Sequence, residues 1–167
     1  RRGTRLLAAD ELQVAGLHNV ANALAALAVG EAIGLAERSM LGALRSFSGL
    51  EHRTQWVAEV ERVRYFDDSK GTNVGATLAA VAGLSGPLII IAGGDGKNQD
   101  FTPLAAEFRG KVRHAVLIGR DAPALGAALA GVCEASFTHS MEEAVRRAHA
   151  LARPGDTVLL SPACASF

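Results

Sequence analysis

The chain has 167 residues, 49% of them apolar, and its seventeen basic residues balance seventeen acidic ones. That length suits one domain with an appendage, and the apolar content supports a sizeable core. The charge balance leaves no electrostatic footprint for nucleic acid or an anionic membrane, and Trp56, Tyr65 and six Phe are too few for a base-stacking platform.

The first segment is short, with Arg5 to Ala8 and Leu12 to Val14 as strand ends. It has no long apolar run of the secretory-signal kind. Asn19 is a candidate N-cap for an Ala-rich helix reaching Leu35, with Gly34 near its end. Ser39 to Phe47 reads as a second helix. Residues 1–48 hold little else, so they belong to a larger domain of which this is the tail.

The pattern then changes. Gln55 to Val60 and Val63 to Asp67 alternate apolar and polar residues around Glu61-Arg62, the mark of a hairpin. Beyond it, helices and strands alternate: helix Val74 to Leu84, strand Leu88 to Ala92, helix Pro103 to Phe108, strand Ala115 to Ile118 and helix Ala122 to Ala130. Strand Ala135 to Phe137, helix Met141 to Ala152 and strand Thr157 to Leu160 complete it. Ser140 and Glu143 form a capping box. The uncharged stretch from Asn73 to Gly94 is long enough for a membrane span. Ser85-Gly86-Pro87 breaks it into a helix, a turn and a buried strand.

This order implies right-handed crossovers and an α/β fold: a mostly parallel sheet flanked by helices, after an antiparallel hairpin. Residues 49–167 form this domain, cut short after the last strand. Ligands of such sheets sit beyond the carboxyl ends of the strands. The loops to inspect therefore begin at Asp68, Gly93, Gly119 and Ser161.

Asp68-Ser69-Lys70-Gly71-Thr72-Asn73 places an anion, a cation and small hydrogen-bonding side chains before a helix N-terminus, which suits phosphate or carboxylate. Capping by Thr72 or Asn73 is the plainer reading, but it needs only one such residue. Gly93-Gly94-Asp95-Gly96-Lys97-Asn98 allows positive φ and close backbone approach. It is not a Walker A loop, because Ile91 stands where the first glycine belongs and Asn98 follows the lysine. It is not GxGxxG either, because position 99 is Gln. The chain's lysines are Lys70, Lys97 and Lys111, against a background of arginine, and two of the three lie in these loops. Lysine is a compact, movable charge for an anion.

Ser161-Pro162-Ala163-Cys164-Ala165-Ser166 offers small residues and hydroxyl donors. Cys164 reads as a packed small residue rather than a nucleophile. Cys133 and Cys164 form no CxxC pair, which points to a reducing compartment. Asn22 has no structural reason to sit in a helix, and an amide matches an adenine edge. Arg53 alone reads as a surface arginine. His114, His139 and His149 lack metal-ligand spacing.

Together, Gly16-Leu17-His18-Asn19-Val20-Ala21-Asn22, His52-Arg53, the Asp68–Asn73 run, Gly93-Gly94-Asp95-Gly96-Lys97 and Ser161–Ser166 resemble, in order and spacing, the Mur ligases. The Asp68–Asn73 form is similar to the branch that adds D-glutamate. The resemblance implies a Rossmann-like amino-acid-binding domain after the tail of a central ATPase domain. It implies a cytoplasmic, monomeric, ATP-dependent ligase acting on UDP-N-acetylmuramoyl-L-alanine and D-glutamate through an acyl phosphate. By the same resemblance, Asn22 would contact adenine. Arg53, Asp68 and Lys70 would face ATP, with Asp68 and Lys70 as catalytic residues. Thr72 and Lys97 would hold one carboxylate of D-glutamate, and Ser166 with the Phe167 backbone the other. The Mg2+ ligands, the Walker A loop and the UDP-binding domain would lie in segments not in this chain, so these residues alone should have no ligase activity. The competing reading is a non-catalytic Rossmann-like module that binds a nucleotide or an amino acid.

Overall fold

The computed structural model describes residues 5–14 and 16–165. They fall into two compact units that divide between Leu50 and Glu51.

In the first unit, helix α1 spans Leu17–Ala32 and helix α2 spans Glu37–Ser46. Among the described residues no strand precedes them: residues 5–8 are coil, followed by a 3-10 turn at Ala9–Glu11. Glu11 explains the turn, because one carboxylate oxygen accepts from the Ala8 N–H at 2.9 Å and the other pairs with Arg45 at 2.9 Å. Asn19 is not the N-cap. Gly16, at φ 97°, starts α1 three residues earlier, and Asn19 lies within the first turn. The helix also stops short of Leu35 in a Schellman motif: Gly34, at φ 80°, donates to the Glu31 carbonyl and Leu35 to that of Gly30. Leu17, Leu24 and Val29 of α1 and Ile33 just after it are exposed, Leu17 by 80%.

The second unit is a six-stranded sheet in the order β1-β2-β6-β3-β4-β5. Strands β1 (Gln55–Val60) and β2 (Val63–Asp67) are the antiparallel hairpin. Glu61 and Arg62 turn it with φ of 52° and 64°, a type I′ geometry made without glycine. The strands β3 (Leu88–Gly93), β4 (Val112–Ile118), β5 (Glu134–Thr138) and β6 (Thr157–Leu160) run parallel to β2.

Alternation along β3 sorts the core into two layers. Leu88, Ile90 and Ala92 face helices α3 (Val74–Gly83), α4 (Thr102–Phe108) and α5 (Ala122–Ala128), meeting Val81, Leu104, Phe108 and Leu125. Ile89 and Ile91 face the other way, with Val116 and Val158, onto Ala144 and Ala148 of α6 (Met141–Leu151). The two-sided burial explains the unbroken apolar run in β3. Each of these large side chains contributes about 1.5–3 kcal/mol by leaving water. At α6, Ser140 accepts from the Glu143 N–H at 3.1 Å. The reciprocal bond goes to the His139 N–H at 2.8 Å, one residue before the cap. The Asn73–Gly94 stretch is indeed α3, a turn and β3. No helix among the described residues is long and apolar enough to cross a membrane.

Candidate functional site

Strand order decides which loops meet. β2, β6, β3 and β4 are consecutive neighbours and parallel, so the segments after Asp67, Leu160, Gly93 and Ile118 leave the same edge of the sheet. The middle one, Ser161 to Ala165, is tied to both sides. Ala163 N–H donates to the Gly71 carbonyl at 2.8 Å, and Gly93 N–H to the Pro162 carbonyl at 2.8 Å. Asp95 and Ala165 exchange two backbone hydrogen bonds at 2.9 and 3.1 Å. Gln99 adds a side-chain bridge: its Oε1 accepts from Val74 N–H at 3.2 Å, and its Nε2 donates to the Ala163 carbonyl at 2.6 Å. One amide thus links the first, second and third loops.

Beneath these loops lies a buried polar knot. Asp68 is 6% exposed. Its Oδ1 accepts from the Thr54 N–H at 2.9 Å, and its Oδ2 from the Ser161 hydroxyl at 2.7 Å. Ser161 Oγ and Thr77 Oγ1 are 2.9 Å apart. The Asp68 carboxylate, expected to face ATP, is buried on these Thr54 and Ser161 donors, where it braces the loop. Ser161, fully buried, is likewise a brace.

The glycines serve the same close packing. A Cβ on Gly71 would strike Asp68 Oδ2 and Ser161 Oγ, and one on Gly93 (φ 129°) would strike the Ile118 carbonyl. Their approach is to the chain's own loops. Asp121, at the head of α5, caps no helix N–H. Its Oδ2 accepts from Gly96 N–H at 2.6 Å, while Arg120 pairs with Asp95 at 3.0 Å.

Above the knot the side chains are exposed: Arg53, Lys70, Thr72 and Lys97. Lys97 projects from a backbone at φ 49° that is held by its own N–H to Asp95 Oδ1 at 2.9 Å. The head of α3 contributes less to an anion than its sequence implies. Asn73 caps it, accepting from Ala76 N–H at 3.0 Å, and Gln99 takes the Val74 N–H. The groups of this loop that stand open to an anion are therefore the exposed Lys70 and Thr72 side chains.

Asn22 is exposed on α1 in the first unit, with its Nδ2 3.4 Å from Asn19 Oδ1. Ser166 and Phe167 lie outside the described residues. Cys164 is buried. Burial, with Asp121 and Asp95 nearby, pushes its thiol up to about 11, so it stays protonated and inert near neutrality.

Sequence reasoning missed the bracing residues Thr54, Gln99 and Asp121. Nothing local marks them, since each acts across the fold. It also missed His52 and Asp67, which were visible as neighbours of Arg53 and Asp68. Asp67 Oδ2 lies 2.7 Å from His52 Nδ1, and its Oδ1 accepts from Ser69 N–H at 2.8 Å. Burial would raise the Asp67 carboxyl, but hydrogen bonds from His52 and Ser69 outweigh it and hold the group below its usual range.

Residues 52–164 match the Mur ligase, glutamate ligase domain. The chain belongs to the Mur ligase family. Among curated relatives, it is similar to the UDP-N-acetylmuramoylalanine–D-glutamate ligase of Nitrosococcus oceani, with 57% identity over 98% of this chain and 36% of that protein. The chain thus spans about a third of the length of the curated Mur ligases it matches. Solved structures share the fold. The UDP-N-acetylmuramate–alanine ligase MurC of Thermotoga maritima superposes with a TM-score of 0.71 at 20% identity, covering 92% of this chain and 36% of that one. A folylpolyglutamate synthase of Mycobacterium tuberculosis gives 0.74 at 16%, covering 91% and 39%. The fold is therefore kept where the sequence has diverged widely.

Proposed function

We propose that this chain is the C-terminal part of an ATP-dependent Mur ligase that joins D-glutamate to UDP-N-acetylmuramoyl-L-alanine, a cytoplasmic step of peptidoglycan precursor synthesis. In this reading residues 1–48 are the tail of the central ATPase domain, and residues 49–167 are the amino-acid-binding domain. The observation that carries it is the meeting of the Lys70 and Lys97 loops at one rim, stitched together by Gln99 and the Ser161–Ala165 segment. The names of the relatives supply the substrates.

The chemistry has two steps. ATP phosphorylates the muramoyl-L-alanine carboxylate. The D-glutamate amine then attacks the acyl phosphate, the amide bond forms, and phosphate leaves as the amine loses a proton. Positioning and charge stabilisation supply most of the rate of such transfers. Arg53 and Lys70, exposed cations on adjoining segments, fit the ATP phosphates, and Asn22 fits adenine. Thr72 and Lys97 fit one carboxylate of D-glutamate, with Ser166 and the Phe167 backbone on the other. Asp68 acts from below by fixing the loop that carries Lys70. ATP supplies the phosphoryl group, and these residues only hold and orient it. Among the described residues no three His, Cys, Asp or Glu side chains gather to hold a metal ion. In this reading magnesium is held by residues of the central ATPase domain.

Steady-state kinetics of the intact ligase test the reading. Lys97→Ala should raise KM for D-glutamate and spare KM for ATP, whereas Arg53→Ala should do the reverse. The 167-residue chain alone should form no ADP with both substrates present. If neither substitution moves either KM, the rim is not the substrate site; an intact protein that forms no ADP with both substrates present would favour the non-catalytic module.

A further inference from the structure

We propose that Asp67 is a positioning residue for the nucleotide, holding Arg53 and Lys70 in one fixed relation across the carboxyl end of β2. The inference rests on the reading above, in which those two cations meet the ATP phosphates. Arg53 sits in a bend of unusual backbone: His52 has φ 65° and Thr54 has φ 45°, both without glycine. Such conformations persist only where the surroundings over-determine them.

The surroundings form a closed ring. Asp67 Oδ2 meets the His52 ring at 2.7 Å, and Asp67 Oδ1 takes the Ser69 N–H at 2.8 Å. The Lys70 N–H then returns to the His52 carbonyl at 3.1 Å. Arg53 follows His52 and Lys70 follows Ser69, so one carboxylate fixes the residue before each cation. Gln55 Oε1 steadies the bend further by accepting from the His52 N–H at 2.9 Å.

Asp67 differs from its neighbour in what it supports. Asp68 points into the knot and holds the loop to the sheet through Thr54 and Ser161. Asp67 points the other way, and both it and His52 keep contact with solvent. The Asp67 ring can therefore open while the core and the knot stay closed. What changes is the register of the two cations, and a transferred phosphoryl group is sensitive to small displacements of the groups that hold it.

The test uses the intact ligase. Asp67→Ala should raise KM for ATP by about tenfold while leaving KM for D-glutamate and the unfolding midpoint nearly unchanged. Asp67→Asn should recover most of the loss, because its amide oxygen still accepts a hydrogen bond. His52→Ala breaks the same ring from the other side and serves if Asp67→Ala does not fold. The double variant should be no worse than either single one. Arg53→Ala is the benchmark. If it leaves KM for ATP unmoved, the nucleotide reading itself falls and the inference with it. If Arg53→Ala raises that KM but Asp67→Ala and His52→Ala do not, the rim reading stands and the positioning role is overturned. Equal rises in both KM values with a lowered midpoint also overturn it, since they mark a purely structural part.

Discussion

Asp68, Ser161 and Thr77 are buried beneath the rim and bonded to one another, whereas Arg53, Lys70, Thr72 and Lys97 above them stand in solvent. The two layers come from the same short loops. Residues of one motif face opposite ways: Asp68 and Gly71 pack inward against Ser161, while Lys70 and Thr72 stand in solvent. The contrast teaches that one short motif can build the base of a loop and present its exposed groups at once. A buried carboxylate with its donors satisfied can fix a loop, while an exposed lysine without a rigid base cannot hold an anion in place.

This comparison can be broken by substitutions that should separate stability from activity. The largest effect is expected from the outer layer. Lys70→Ala in the intact ligase should lower kcat by about a hundredfold or more, as for loss of a charge at a transferring phosphoryl group, with the urea midpoint unmoved. Next comes the inner layer. Asp68→Ala strands the Thr54 and Ser161 donors and should cost about 3 kcal/mol in denaturant unfolding. Thr77→Val, which removes one member of the knot, should cost about 1 kcal/mol and leave both KM values alone. If Asp68→Ala instead abolished activity in a protein of full stability, the division between layers would be wrong.

The smallest effect concerns acid. Asp67 has a depressed carboxyl in the folded state, so its contribution to stability is present above the ordinary value near 3.8 and is lost as pH falls through the lower folded value. Because the pair is partly solvent-exposed, the contribution is below about 1 kcal/mol. Asp67→Asn should flatten the stability curve below about pH 4 and lower it near neutrality by no more than that contribution. A flat wild-type curve there would remove this piece.

The outer layer was legible in the sequence, and the inner one was not. Lys70 and Lys97 stand out against an arginine background, and short apolar runs such as Leu88 to Ala92 announce strands that end just before them. Asp68 drew the eye for the same reason, but sequence shows its charge and not its bracing bonds to Thr54 and Ser161. Thr54, Gln99 and Asp121 act on partners far along the chain, so no local pattern reveals them. In the first unit, Asn19 looked like a cap because its side chain suits that place. Gly16 reached the helical entry first by taking a backbone angle that other residues resist. The Arg5–Ala8 and Leu12–Val14 segments were too short for periodicity to separate strand from coil.

A titration of the isotopically labelled 167-residue protein with D-glutamate, followed by amide NMR shifts, tests the shared rim most directly. Shifts should concentrate in residues 70–73 and 94–98 and along the Ser161–Ala165 segment, and should vanish in Lys97→Ala. Shifts that appear elsewhere on the sheet, or that persist in Lys97→Ala, would contradict a diacid site built by these loops.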